Sequence, residues 1–114
     1  MAYDLELAER IRALVAAETG VDEKRMFGGL AFLVNGNMSV AASGQGGLLV
    51  RVDPADAGPL IDDKLVAPMV MGGREMTGWL FVDLAAVAAD EDLAVWVNRG
   101  VGFAKSLPAK KAKR

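Results

Sequence analysis

The chain has 114 residues, 53% of them hydrophobic, enough for one domain with a real core and too few for two. It holds no cysteine and no histidine, which excludes disulfides, thiolate nucleophiles, Cys/His zinc sites and imidazole acid–base relays, and with them Ser-His-Asp and Cys-His catalysis. The net charge of −2 is unevenly spread, because five of the thirteen basic residues (Lys105, Lys110, Lys111, Lys113 and Arg114) fall in the last ten positions and leave eight against fifteen acids elsewhere, so the body is acidic, unlike a basic DNA-binding domain.

The opening MAYDLELAERIR carries acids early and no apolar h-region, and no apolar run approaches the roughly 20 residues needed to span a bilayer. The expectation is a cytoplasmic chain with no membrane partner. Residues 3–18 read as a helix: Leu7, Ile11, Leu14 and Val15 share one face, Asp4 sits at the N-terminus, and Gly20 supplies the stop. Residues 25–34 and 37–43 read as two strands joined at Asn35-Gly36, a dipeptide suited to a tight turn with positive φ. Gly44-Gln45-Gly46-Gly47 leads into a third strand over 48–52, which makes an antiparallel meander.

Asp53-Pro54-Ala55-Asp56 starts a short helix, interrupted at Gly58-Pro59. A fourth strand covers 67–71, where Pro68 marks a strand start or an edge, and Gly72-Gly73 turns the chain into a fifth over 76–83. Asp90-Glu91-Asp92 opens a last helix with Leu93, Trp96, Val97 and Val101 on its apolar face. Within it, Gly100 and Gly102 mark close packing or a break. Residues 1–107 thus form the domain, and 108–114 a basic tail expected to be disordered. The fold class is α+β: a two-layer sandwich of an antiparallel sheet of about five strands in the order α-β-β-β-α-β-β-α, with helices packed on it.

Two strands are apolar on both faces. Met26, Leu30, Phe32 and Val34 alternate with Phe27, Ala31 and Leu33, and Met76, Leu80 and Val82 alternate with Trp79 and Phe81. A sheet covered on one side alternates apolar with polar instead. Part of the second face is therefore expected to be covered by a second subunit or a partner, the alternative being a curled sheet that buries both faces itself. Met69, Met71 and Trp79 are the candidate interface residues.

Chemistry-bearing motifs are scarce. The loop at Gly44–Gly47 precedes a strand, with no Lys-Ser/Thr after it, and reads as a hairpin loop rather than a phosphate cradle. Asp62-Asp63 and Asp90-Glu91-Asp92 lack calcium-loop spacing. Arg25, Arg51 and Arg74 are candidates for an anion site. Lys110, Lys111, Lys113 and Arg114 are candidates for electrostatic contact with nucleic acid, without an aromatic residue for base stacking. No catalytic residue, metal ligand or cofactor is expected.

Met26-Phe27-Gly28-Gly29, followed by Phe32, Asn35-Gly36 and Met38, resembles the N-terminal domain of the TfoX/Sxy family. Met71-Gly72-Gly73-Arg74-Glu75-Met76-Thr77-Gly78 is similar to that family's second hairpin, and the Leu93–Trp96 helix to its closing helix. Met26, Phe27, Gly28, Gly29, Gly36, Met38, Gly72, Gly73 and Met76 carry the resemblance as structural positions. It implies a secretion-chaperone-like two-layer domain and no catalytic motif. Its better-known members regulate natural competence with a cyclic-AMP receptor protein at promoters, and carry a C-terminal helical domain where this chain has a basic tail. The functional expectation is a non-enzymatic regulatory or protein-interaction module, homodimeric, with a transcription factor or polymerase component as partner. The alternatives are a DNA-binding accessory protein using the tail and Arg74, or a small-ligand or anion-binding domain near Arg25 and Arg51.

Overall fold

The computed structural model describes residues 3–107 except Phe27, Gln45, Asp63 and Gly72, and except the side chains of Met26, Met71, Met76 and Thr77. Helix α1 spans Leu5–Leu14, and the Asp4 carboxylate caps it by accepting from the Leu7 N–H at 3.0 Å. It ends four residues before the expected position 18. The chain reverses there through Gly20, at φ 77°, whose carbonyl accepts from the Asn35 N–H at 2.9 Å.

The main correction follows at once. What reads as one strand over 25–34 is a hairpin of two, β1 (Val21–Met26) and β2 (Gly29–Val34), turned at Gly28 with φ 75°. Strand β1 escapes a pattern search because Asp22, Glu23, Lys24 and Arg25 are all exposed. It is an edge strand, held by backbone pairing to one neighbour and protected by charge from pairing with another chain.

Strands β3 (Asn37–Ala42) and β4 (Leu48–Arg51) complete the expected meander, and Asn35 and Gly36 take φ 54° and 82° in the turn between β2 and β3. Helix α2 (Pro54–Leu60) follows, with the Asp53 carboxylate accepting from the Ala55 N–H, and it runs through Gly58-Pro59 for one more residue. Strands β5 (Val66–Met71) and β6 (Arg74–Val82) form the second hairpin. The sheet has six antiparallel strands in the order β1-β2-β3-β4-β6-β5, so Pro68 does lie on an edge strand. A 3-10 turn at Leu84–Val87, absent from the sequence reading, leads to α3 (Asp90–Ser106). The α+β class stands, with one strand more than expected.

Directly paired residues share a face of the sheet. One cross-sheet row runs Arg25–Leu30–Ala42–Leu48–Val82–Val66, and its neighbour Glu23–Phe32–Val40–Val50–Leu80–Pro68. Apart from Pro68, the apolar members of these rows join Leu7, Ala8 and Ile11 of α1, Val15 at its C-terminal end, and Leu93, Val97, Val101 and Ala104 of α3 in one buried core. Arg10 ties the helices together at the rim: its guanidinium donates to the Val87 carbonyl and to the Asp90 carboxylate, both at 2.9 Å.

Between α2 and β5 one carboxylate organises the loop. Asp62 accepts from the N–H groups of Lys64, Leu65 and Val66 at 3.0, 2.7 and 2.8 Å. Those bonds, the Val66 one foremost, hold its carboxyl below the usual carboxylate range. A depressed native pKa adds stability that is fully present above the unfolded value of about 3.9 and is lost as pH falls through the native one. Asp62→Asn is therefore expected to melt below the wild type at neutral pH, with the gap closing as pH drops below about 4. Thermal melts of both proteins over that range check it, and a gap independent of pH would contradict it.

Candidate functional site: the helix-free face of the sheet

The remaining cross-sheet row is Lys24–Ala31–Ala41–Leu49–Phe81–Ala67, and beside it Asp22 pairs Leu33, Leu33 pairs Met38, and Arg51 pairs Trp79. Apart from Arg51, whose guanidinium reaches the Phe103 ring of α3, these residues lie on the side of the sheet away from the core. Ala31, Ala41 and Leu49 form a second apolar cluster there, with Leu33, Met38, Met69, Trp79 and Phe81 packed against it. Every member is a strand residue; no described helix residue belongs to it.

Burial within the cluster is graded. Ala31, Ala41 and Leu49 are buried, at 0%, 5% and 8% exposure, whereas Leu33, Met38, Met69, Trp79 and Phe81 are half-buried. The sheet thus hides the smaller residues under its own large side chains and leaves the large ones open to water on one side. Two aromatics, two methionines and a leucine make a surface with large contact area and adaptable shape. Asp22 and Lys24 of β1 stand at its polar margin.

Local irregularities build this face. The β2–β3 ladder shifts between Phe32 and Leu33, leaving Ser39 as an extra residue whose hydroxyl donates to the Phe32 carbonyl at 2.8 Å. That bulge puts Met38 and Ala41, three residues apart, on the same face. A period-2 reading of NMSVAA misses the pair for this reason. For Leu49 the alternation with Leu48 and Val50 carries the signal.

Of the candidate interface residues, Met69 and Trp79 fall in the cluster, and the Met71 side chain lies outside the described residues. Among the family-motif positions, Met38 belongs to the face, Gly28 and Gly29 build the β1–β2 turn, and Gly36 and Gly73 take φ 82° and 80° in theirs. Phe27, Gly72 and the side chains of Met26 and Met76 lie outside the described residues.

The three arginines are not brought together. Arg25 is level with Val82 in the ladder and Arg51 with Trp79, three strands across, about 14 Å, and three residues along, about 10 Å. Arg74 lies five residues farther along β6, about 16 Å on. Arg51 instead lies over the Phe103 ring at 5.6 Å, while Arg25 and Arg74 are exposed. Lys110, Lys111, Lys113 and Arg114 lie outside the described residues.

An open groove of about 530 Å³ separates α2 from α3, floored by Val52, Leu60 and Phe103 and edged by Asp53, Asp56 and Arg99. Arg99 lies over the Trp96 ring at 4.6 Å. Charges of both signs share this edge, so it is not a dedicated anion site. Among the described residues no group of His, Cys, Asp or Glu is placed to hold a metal ion, and no helix is long and apolar enough to cross a membrane.

The family model described as TfoX N-terminal domain matches residues 13–104. The match takes in all six strands, α2 and most of α3. No curated protein and no solved structure matches the chain. The chain belongs to the TfoX N-terminal domain family.

Proposed function

We propose that this TfoX N-terminal domain is a non-enzymatic regulatory module that acts by protein contact through the helix-free face of its sheet. The observation that carries the reading is the second apolar cluster, in which Leu33, Met38, Met69, Trp79 and Phe81 stay half-buried with no described helix over them. Contiguous apolar surface of this kind, rimmed by polar residues, marks interaction sites. The absence of His and Cys from the whole chain favours binding over catalysis. The regulatory part of the proposal, action on transcription beside a transcription factor or polymerase component in the cytoplasm, rests on family membership.

The test is a comparison of transcripts in cells lacking this chain and complemented with wild type or Leu33→Lys. A set of transcripts is expected to change on deletion, to return with wild type, and to stay altered with Leu33→Lys. Full restoration by the variant removes the face from the mechanism, and an unchanged transcript profile on deletion removes the regulatory role. A second reading, DNA contact through the basic tail, is favoured by Lys110, Lys111, Lys113 and Arg114. It predicts that removing residues 109–114 weakens DNA binding and flattens its salt dependence.

A further inference from the structure

We propose that the occupant of the helix-free face is a second copy of this chain, packed sheet to sheet about a two-fold axis. The inference rests on the reading of that face as the contact surface and goes beyond it by naming the partner. A two-fold dimer uses the same patch on both subunits, so the patch must be complementary to itself. This one is. The charged residues paired into its rows, Asp22 and Lys24, stand on edge strand β1, so apposing two such patches brings no like charges together at the centre.

The rest of the molecule argues against other modes of self-association. The body outside the last ten residues has fifteen acids against eight basic residues, a charge balance that opposes nonspecific self-association. Strand-to-strand addition at the sheet edges is obstructed as well. Edge strand β1 exposes Asp22, Glu23, Lys24 and Arg25, and edge strand β5 carries Pro68.

Its size is sufficient. Six strands at about 4.8 Å, averaging about 20 Å in length, make a face of roughly 600 Å². Two such faces bury roughly 1,200 Å², where specific interfaces begin. Large half-buried side chains on both sheets then interdigitate across the roughly 10 Å spacing of a sandwich. Asp22 and Lys24 remain in the wet rim.

The experiment is sedimentation equilibrium on the full chain from low to high concentration, in wild type and Leu33→Lys. It is paired with fluorescence in a Trp96→Phe background, where Trp79 is the remaining tryptophan of the two. The expected result is a doubled mass at high concentration, Trp79 emission that moves to longer wavelength on dilution, and association weakened about thirtyfold or more by Leu33→Lys. Circular dichroism establishes that the variant is folded, and Met69→Lys, on the edge strand, replaces it if it is not. A dimer that both substitutions leave intact overturns the inference. A single-chain mass at every concentration overturns it too, and the transcript test then separates the two readings. If Leu33→Lys still fails to restore regulation, a different protein occupies the face; if it restores regulation, the contact-face reading falls with the dimer.

Discussion

Gly29→Ala is expected to destabilise the domain by about 3 kcal/mol or more, the upper end of the range for forcing an extra carbon into a packed site. The cause is backbone against backbone. Gly29 is buried where β2 leaves its turn, and a β-carbon there would collide with the Ala42 carbonyl oxygen and come within 3.1 Å of the Gly44 nitrogen. Gly44 presses in turn on Gly28, where an added carbon would meet the carbonyl oxygen at 2.8 Å. Neither contact ends in a flexible side chain that can swing aside. Two turns of the meander therefore dock glycine on glycine, which gives the Gly28-Gly29 pair of the family motif a physical role. Urea or thermal unfolding measures the effect, with a melting temperature lower by roughly 12 °C or more. A loss under about 1 kcal/mol would mean the turns dock more loosely than this.

Gly100→Ala and Gly102→Ala are expected to act in opposite directions although the residues are two apart on one helix. Alanine is the better helix former by about 1 kcal/mol at both positions. At Gly102 the added carbon meets open space, so the substitution stabilises by about that amount. At Gly100 it would run into the Ser39 carbonyl oxygen and lie 2.7 Å from Val40 Cγ1, prising α3 from β3 along their main contact. The overpacking cost exceeds the propensity gain, for a net loss of about 2 kcal/mol. Unfolding curves for the two variants beside wild type decide it. The same sign for both would show that α3 does not cross β3 at Gly100.

The sequence made much of this legible, and what it hid has physical causes. Asn35-Gly36 announced its turn because few dipeptides tolerate two positive φ angles in succession. Asp53-Pro54 and the acids at positions 90–92 announced helix starts by the same local logic. Double-sided apolarity in Ala31/Phe32/Leu33 and Trp79/Leu80/Phe81 was visible in the alternation, and these residues do divide between the two clusters, one on each face. Strand β1 was illegible because an edge strand needs only one row of backbone bonds, and four successive exposed charged residues, 22–25, leave no apolar alternation to read. The bulge at Ser39 was illegible because a one-residue slip leaves no compositional mark. The groove between α2 and α3 depends on how two helices distant in sequence converge, which no local pattern encodes. Arg25, Arg51 and Arg74 looked like a possible group only while the strand order was unknown.

The most direct measurement of whether the helix-free face is the working surface is hydroxyl-radical footprinting of the purified full chain across a dilution series. The account predicts that Met38, Met69 and Trp79 react when dilute and become protected as concentration rises. Val95, exposed on α3 at 49%, should stay equally reactive throughout. Met38, Met69 and Trp79 as unreactive at every dilution as the fully buried Phe32 would contradict it, because the sheet would then be burying both of its faces unaided.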